Sequence, residues 1–258
     1  MIDRIPKHTF IQLLLKPILL MRLIRVWFND QILNRPTLVF VDGLWYLQNW
    51  GLGAGVWAAI SGYEYEPELR PAMSFIKKGH IVLDLGANVG AYTLKMAQQV
   101  GETGLVIALE PNQENFKKLE NNIKINGFKN IKAFQIAAGD FNGHAELTFE
   151  KNFENAASII HGNGRCTETV TVVRLDDFFQ EQNIQKVDFI KMDIEGAEPN
   201  ALKGLEKIIS ECRPIILFEN SNTMTTEQLS KMGYRTGCFK NNLFTECEDQ
   251  QNLFAMRK

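Results

Sequence analysis

The chain has 258 residues, of which 45% are hydrophobic, and its formal charge is −2 from 28 basic and 30 acidic side chains. This length and apolar content fit one α/β domain with an N-terminal extension. The nearly balanced charge gives no electrostatic reason to expect a nucleic-acid partner. The cysteines are widely spaced and form no C-x-x-C pair, which is typical of reduced thiols in a cytoplasmic protein. They are Cys166, Cys212, Cys238 and Cys247.

The most apolar stretch of the chain is "FIQLLLKPILLMRLIRVWF", residues 10–28. Lys16, Pro17, Arg22 and Arg25 interrupt it, so no apolar run approaches the ~20 residues that a membrane-spanning helix needs. No small-residue cleavage site of a signal peptide follows. As a helix the segment is amphipathic, and we expect it to pack on the domain or on a second subunit in a homodimer. Contact with a membrane surface, making the protein peripheral to a membrane, is the alternative that we favour less.

Residues 45–65 combine glycines with aromatic side chains and predict an irregular cover. Its aromatic residues could stack on a sugar or an apolar ring of a substrate, or could belong to the core. They are Trp45, Tyr46, Trp50 and Trp57. We therefore assign residues 1–62 to a helical and irregular N-terminal extension and residues 63–258 to the main domain.

From Lys77 onward, short apolar runs alternate with longer segments of helical periodicity. Gln113–Asn126 is such a segment, because its apolar positions recur at helical spacing. Strands buried on both faces and separated by helices predict a mostly parallel sheet with right-handed crossovers. The predicted strands are "IVLDL", "LVIALE", "IKAFQI", "VDFIKM" and "PIILFE".

Two regions depart from this alternation. "HAELTFE" and "TETVTVVRL" alternate in strand fashion with no helix between them, which predicts an inserted antiparallel pair around residues 143–174, with a loop at 151–166. Near the end, "YRTGCF" and "NLFTEC" flank a short "KNN" turn and predict a C-terminal antiparallel hairpin.

A glycine-rich turn, "LDLGANVG" (83–90), follows the first of these strands and precedes a predicted helix at 91–100. Gly86 and Gly90 would let the backbone approach a ligand at the helix N-terminus, where free N–H groups collect. Glu110 ends the next strand, 24 positions beyond Gly86. A carboxylate about 20 residues after such a turn is typical of a residue that binds ribose hydroxyls. Together these features predict an adenosine site.

The identity of the adenosine ligand depends on details of the turn. Asn88 stands where a dinucleotide fingerprint has its middle glycine, and Asp84 lies just ahead of the turn. A carboxylate would repel a pyrophosphate and attract a ligand that carries an ammonium group and no phosphate. This favours S-adenosylmethionine over a nicotinamide cofactor. A nicotinamide-dependent oxidoreductase and a non-catalytic binding module of the same fold are the alternatives.

At this point the sequence resembles the FkbM family of S-adenosylmethionine-dependent methyltransferases. The resemblance covers roughly residues 63–220 and rests on "VLDLGANVGAYT", "ALEPNQENFKKLENNI", "VRLDDFF", "IKMDIEGAE" and "PIILFEN" in this order. It implies the class I methyltransferase fold, a Rossmann-like sheet of seven strands whose last strand is antiparallel. It also implies methylation, commonly of a hydroxyl on a sugar, a glycan or a natural product. N-methylation is an alternative.

The candidate catalytic residues are carboxylates that follow the fourth strand. Asp193 and Glu195 in "KMDIEG" lie on a turn that Gly196 would let run close to a ligand. Either could deprotonate an acceptor hydroxyl; capping of the helix that begins near Ala197 is the structural alternative. His161, in the loop of the inserted pair, is a third candidate base.

Further candidates complete the site. Asp193 and Asn112, the latter two residues after Glu110, join the residues assigned to the cofactor, and Glu66 could cover its methionine end. Glu219 and Asn220 end the strand "PIILFE" and would offer Mg²⁺ an oxygen-rich set together with Asp193. The resemblance does not require a metal, so we do not expect one.

Overall fold

The structure is a computed structural model. It describes residues 17–48, 61–64, 66, 68–150, 153–158, 166–221, 223–240, 243–247 and 250–257; for 64, 150, 153–158 and 240 it describes the backbone alone. Several positions named above lie outside these ranges: His161, Trp50, Trp57, the first residues of the apolar stretch 10–28 and much of the loop at 151–166.

The core is an eight-stranded sheet that carries the predicted strands at its centre. Five parallel strands lie side by side: β3 (Ile81–Leu85), β4 (Leu105–Leu109), β5 (Ile131–Phe134), β10 (Phe189–Met192) and β11 (Ile215–Glu219). Their order across the sheet is β5-β4-β3-β10-β11. The strands β3, β4 and β10 are almost wholly apolar and buried, which a sheet covered by helices on both faces requires. The predicted parallel α/β sheet is confirmed.

Helices precede, connect and follow these strands. They are α2 (Leu69–Phe75), α3 (Ala91–Val100), α4 (Gln113–Asn126), α5 (Leu175–Glu181), α6 (Glu198–Gly204), α7 (Glu206–Cys212) and α8 (Thr223–Lys231); a 3₁₀ turn covers Gly62–Glu64. The helix predicted from periodicity at Gln113–Asn126 has these bounds in the structure. Asn112 caps it: its side-chain oxygen accepts from the backbone N–H groups of Glu114 and Asn115.

The C-terminal strands complete the sheet on one side. β12 (Tyr234–Lys240), β13 (Leu243–Thr245) and β14 (Asn252–Arg257) extend it in the order β13-β12-β14-β11. β12 and β13 are antiparallel, as predicted for the C-terminal hairpin. β14, which the apolar pattern did not reveal, is antiparallel to β11 and inserts between β11 and β12. This is the class I methyltransferase arrangement that the resemblance implied, with one additional edge strand.

The expectation of reduced cysteines is wrong for two of the four. Cys238 in β12 and Cys247, just after β13, form a disulfide. The antiparallel pairing of these strands brings the two residues together although nine positions separate them in sequence. Cys166 and Cys212 are free thiols.

A second, four-stranded sheet contains the inserted region. β7 (Gly143–Glu150) and β9 (Cys166–Arg174) pair in antiparallel register, as their alternation predicted. β8 (Phe153–Ser158) adds to β7, and β6 (Ala137–Gly139) lies parallel to β9. The predicted pair is therefore part of a larger sheet, because neighbouring short segments also satisfy their backbone hydrogen bonds there.

The N-terminal part has more regular structure than the sequence predicted. Helix α1 (Pro17–Gln31) is followed by a hairpin of β1 (Thr37–Val41) and β2 (Leu44–Gln48). The hairpin overlaps the region expected to be irregular, and its short turn at Asp42–Gly43 uses two residues with positive φ. Within the described ranges no helix is long and apolar enough to cross a membrane.

Candidate cofactor-binding and active site

The predicted site residues meet at one edge of the central sheet. The glycine turn follows β3, Glu110 follows β4, Asp193 follows β10 and Asn220 follows β11. Because these strands are parallel, their carboxyl ends open on the same crevice, where ligands of open α/β sheets bind. The topology thus brings together residues that are more than 100 positions apart in sequence.

The glycine turn is held by a dense set of backbone hydrogen bonds. The N–H groups of Gly86 and Ala87 both donate to the carbonyl of Leu109, and the N–H of Gly90 donates to the carbonyl of Ala87. Asn88 has φ of 51° and its side-chain oxygen accepts from the N–H of Val89. The turn is therefore a rigid element before any ligand arrives.

The reason for glycine at position 86 differs from the one expected. A Cβ on Gly86 would overlap the backbone carbonyl of Asp193, and the residue has φ of 75°. The close approach is thus between two loops of the protein, and a side chain here would displace the Asp193 turn.

Glu110 links the tip of β4 to the glycine turn. One carboxylate oxygen accepts from the N–H of Asn88 at 2.7 Å and the other from the N–H of Asn112 at 3.0 Å. Its side chain is buried, and burial raises its pKa to about 7 against the hydrogen bonds that lower it. Each oxygen keeps a second lone pair, so both can still accept from a ribose hydroxyl.

Asn112 has structural partners for both ends of its amide. Besides capping α4, its side-chain nitrogen donates to Glu168 of β9 at 3.2 Å. Glu168 also accepts from the N–H of Gln113. The residue predicted to bind cofactor thus ties the first turn of α4 to the second sheet.

Lys191 is the electrostatic centre of the β10 side of the site. Its ammonium donates to the carbonyl of Gly86 at 3.0 Å and lies 3.3 Å from a carboxylate oxygen of Asp193 and 3.7 Å from one of Asp84. Asp84 and Lys191 are directly opposed in the register of β3 and β10. Despite its burial the lysine has a raised pKa, because Asp193, Asp84 and Glu66 surround it.

Asp84 lies behind the glycine turn with no exposed surface. One oxygen accepts from the Thr93 hydroxyl at 2.6 Å, while the other has no hydrogen-bond partner and faces Lys191. Burial raises its pKa, opposed by the lysine charge. The contacts in the structure are internal, so direct contact of Asp84 with a ligand stays a prediction.

Glu66 is held close to this group by Tyr92 of α3. The tyrosine hydroxyl donates to its carboxylate at 2.6 Å, and the Tyr92 ring lies under the Lys191 ammonium, with 5.3 Å between nitrogen and ring centre. Burial raises the pKa of Glu66, and Asp193 raises it further. Glu66 thus lies within electrostatic reach of Asp193 and Lys191, and its place over the cofactor stays a prediction.

The turn after β10 separates Asp193 and Glu195 from the helix that follows. Helix α6 begins after Ala197, an N-cap residue whose side chain makes no capping hydrogen bond. Glu198 stabilises the turn, accepting from the N–H of Ile194 and from the Ser221 hydroxyl. Glu195 adopts φ of 53°, which the following glycine and this bonding maintain.

Glu195 and Glu219 are two partly buried carboxyl groups whose pKa values are raised. Partial burial raises the pKa of each to about 7; Glu219 adds to the shift of Glu195, and Asp193 adds to both. One oxygen of Glu219 is buried without a hydrogen-bond partner. At neutral pH both groups are therefore poised between their charged and neutral forms.

The oxygen-rich set considered for Mg²⁺ is only partly assembled. The side-chain amide of Asn220 donates to the carbonyl of Gln250, and its backbone N–H donates to the carbonyl of Gln251. No group of three or more His, Cys, Asp or Glu residues in the described part of the chain is arranged to hold a metal ion.

The sequence reasoning missed Lys191, Tyr92, Glu198 and Asn122. A signal existed for Lys191, since it is a charged residue inside an otherwise apolar buried strand. Asn122 is buried on α4 and donates to the carbonyl of Val89 in the glycine turn. Only the packing of α4 reveals that contact.

The part of the chain that carries these strand-tip residues is similar to known methyltransferases. The family model of the methyltransferase FkbM domain matches residues 84–249, more than half of the chain. "Methyltransferase 1" of Beauveria bassiana (strain ARSEF 2860) is 26% identical over 145 residues, 48% of this chain and 58% of that protein. "2-O-methyltransferase NoeI" of Sinorhizobium fredii is 23% identical over 161 residues, covering 56% and 65%. "Hexuronic acid methyltransferase AglP" of Haloferax volcanii is 21% identical over 150 residues, covering 58% and 59%.

The chain thus spans less than two thirds of the length of each of these relatives. The matched range begins at Asp84, ahead of the glycine turn, and includes Glu110, the Asp193 turn and Glu219. The sheet order, the carboxylates at the strand tips and the family model agree, and the chain belongs to the methyltransferase FkbM domain family.

Proposed function

We propose that this protein is an S-adenosylmethionine-dependent O-methyltransferase that acts on a hydroxyl of a sugar, a glycan or a natural product. Family membership supports methyl transfer. The names of two relatives, a 2-O-methyltransferase and a hexuronic acid methyltransferase, support an oxygen and a sugar acid as acceptor. The observation that carries the proposal is the convergence of the rigid glycine turn, Glu110 and the Asp193 turn at one edge of the sheet.

The chemistry of this edge fits the proposed cofactor. Glu110 would accept from the ribose hydroxyls, and the excess of carboxyl groups around Lys191 would attract the sulfonium and ammonium charges. The unpartnered oxygen of Glu219 offers a further acceptor. When bound, S-adenosylmethionine supplies an electrophilic methyl group.

The protein's own part in the reaction is to orient the acceptor and remove its proton. Asp193 is partly exposed at the strand tip and is fixed by Lys191, so it can position a hydroxyl. Burial raises the pKa of Glu195 to about 7. A pKa near the working pH suits a general base, because the carboxylate can then accept a proton and release it again. We assign the proton acceptor to this pair, with His161 as the further candidate.

Calorimetry tests the cofactor. We expect S-adenosylmethionine and S-adenosylhomocysteine to bind and NAD not to bind. The cationic sulfonium should lower the pKa of Glu195 and Glu219. Binding of S-adenosylmethionine near neutral pH should therefore release more protons than binding of the product, which lacks the sulfonium charge. Calorimetry in buffers of different ionisation enthalpy measures this difference. Binding of NAD alone would overturn the assignment.

Turnover of variants tests the catalytic pair. With saturating labelled methyl donor and a panel of uronic acids, oligosaccharides and amines, Asp193→Asn should lose ~10²–10⁴-fold in rate. If Glu195 is the base, the rate should rise through pH about 7 and this rise should vanish in Glu195→Gln. Glu206→Gln, an exposed carboxylate on α7, is the matched control.

Two results would contradict this mechanism. Full turnover in both Asp193→Asn and Glu195→Gln would remove the pair from catalysis, and labelling of amines alone would replace O-methylation by N-methylation. Chelation of divalent cations should leave the rate unchanged; loss of activity with chelator and its restoration by Mg²⁺ would instead favour the set of Asp193, Glu219 and Asn220.

A further inference from the structure

The N-terminal helix and hairpin expose many large apolar side chains. Helix α1 buries Leu19 and Val26 against the domain, whereas Met21 is 69% and Ile24 55% exposed. In the hairpin, Val39 and Val41 face inward while Phe40 faces outward, 50% exposed. Clusters of exposed large apolar residues on soluble domains mark sites of interaction.

This exposed set is firmly attached to the domain. Asn29 of α1 donates to Thr37 of β1 at 2.9 Å, and Val26 shares a core cluster with Tyr46 of the hairpin and Leu94 of α3. The buried Lys95 ammonium donates to the Tyr46 hydroxyl at 3.0 Å. The outward side chains are therefore presented by a folded element. We call the exposed residues Ile18, Met21, Ile24 and Phe28, which lie on one face of α1, the N-terminal apolar surface.

Charge is distributed unevenly along the sequence. Residues 1–35 contain six basic and two acidic side chains, while the rest of the chain contains 22 basic and 28 acidic ones. Arg25 is exposed and lies in one helical row with Met21 and Phe28, so its stem can lie along apolar material while its charge reaches a polar headgroup. The N-terminal region is thus cationic on a chain that is otherwise anionic.

We propose that the N-terminal apolar surface docks on a lipid membrane that carries anionic headgroups. Apolar and aromatic side chains combined with arginines are the pattern of elements that lie in the interface of a bilayer. The anionic remainder of the protein would be repelled from the same membrane, which fixes the orientation. A second copy is disfavoured as occupant because a two-fold contact would bring two cationic segments together. The proposal does not depend on methyl transfer.

Vesicle flotation of the full chain tests the docking. We expect binding to vesicles of equal parts phosphatidylcholine and phosphatidylglycerol, weaker binding to phosphatidylcholine alone, and a decrease with added salt. Met21→Glu/Ile24→Glu should lower the partition coefficient at least about tenfold, since both charges would enter the interface. Arg25→Ala should lower it about fivefold on the mixed vesicles.

Leu243→Glu is the matched control, because Leu243 is 71% exposed on β13, outside the surface. It should bind vesicles like the unmodified chain, and thermal melting should be similar in all variants. Absence of binding to mixed vesicles, or an equal loss in Leu243→Glu, overturns the proposal. The surface would instead belong to a second copy if two results came together. The unmodified chain would be a dimer in light scattering and would not bind vesicles, and Met21→Glu/Ile24→Glu would be a monomer.

Discussion

Lys191 shows how one side chain organises the acidic edge of the sheet. It lies between a fully buried carboxylate, Asp84, and a partly exposed one, Asp193, and also holds the carbonyl of Gly86. The desolvation that opposes a buried charge is offset here because each group faces an opposite one. The position of Asp193, the proposed catalytic residue, therefore depends on a residue that lies deeper in the strand.

Replacing Lys191 by methionine should destabilise the fold by about 3–5 kcal/mol, because the Asp84 charge would remain buried without its cation. The double variant Asp84→Asn/Lys191→Met should recover about 1–3 kcal/mol of this loss, since the asparagine oxygen can still accept from Thr93. Urea unfolding measures both values.

Lys203→Met is the control for this comparison. Its partner Asp140 lies 3.9 Å away at the surface, so the change should cost no more than about 1 kcal/mol. If the double variant were no more stable than Lys191→Met, the Asp84–Lys191 pairing would not be the source of the loss.

Helix α4 connects the N-terminal hairpin with the glycine turn. Asn122 accepts from the N–H of Leu47 in β2 and donates to the carbonyl of Val89 in the turn. Asn126, one helical turn later, bonds to both backbone groups of Trp45 in β2. Asn122 therefore supports both the hairpin and the glycine turn, whereas the hydrogen bonds of Asn126 to Trp45 support the hairpin.

Asn122→Ala should lower stability by about 1–3 kcal/mol, because buried backbone groups lose their partners. It should also weaken S-adenosylmethionine binding severalfold, since the Val89 segment of the glycine turn loses its support. Asn126→Ala should weaken hairpin attachment and leave donor affinity unchanged. Calorimetry and urea unfolding on both variants measure these effects; equal losses of donor affinity would refute the connection.

At the scale of the whole molecule, the carboxyl groups at the strand tips favour folding at acidic pH. Burial raises the pKa of Glu110, Glu195 and Glu219 to about 7 from an ordinary value of 4.5. An acid whose pKa is raised by folding stabilises the native state below its ordinary pKa, and this contribution is lost as pH rises through the raised value. Burial lowers the pKa of Lys95 to about 8, so this lysine affects the pH dependence of stability only at higher pH.

The free energy of unfolding should therefore fall as pH rises from about 4.5 to about 7, with on the order of 3 kcal/mol from the buried Glu110. Urea unfolding across this range measures the slope. Glu195→Gln/Glu219→Gln should flatten part of the curve, and saturating S-adenosylmethionine should do the same if its positive charge stabilises the ionised carboxylates. A free energy that rises throughout this range would contradict the assigned shifts.

The sequence by itself determined the parallel sheet, the helix at Gln113–Asn126 and the set of carboxylates at the strand tips. These are local properties: apolar runs of strand length, helical periodicity and a glycine turn between a strand and a helix can be identified without knowledge of distant contacts. The resemblance added the expectation of a seven-stranded sheet whose last strand is antiparallel. The antiparallel pairing of β7 and β9 was also visible, since alternation marks strands with one face buried.

The tertiary structure decided what the sequence pattern left undetermined. Gly86 faces the Asp193 carbonyl, Asn112 caps α4, and Cys238 bonds to Cys247 only because separate segments meet. Likewise, the apolar residues of α1 predicted a buried face, but which of them pack and which stay exposed depends on the hairpin beneath the helix. Composition and periodicity specify which residues can be buried; the meeting of elements far apart in the chain determines the partner of each one.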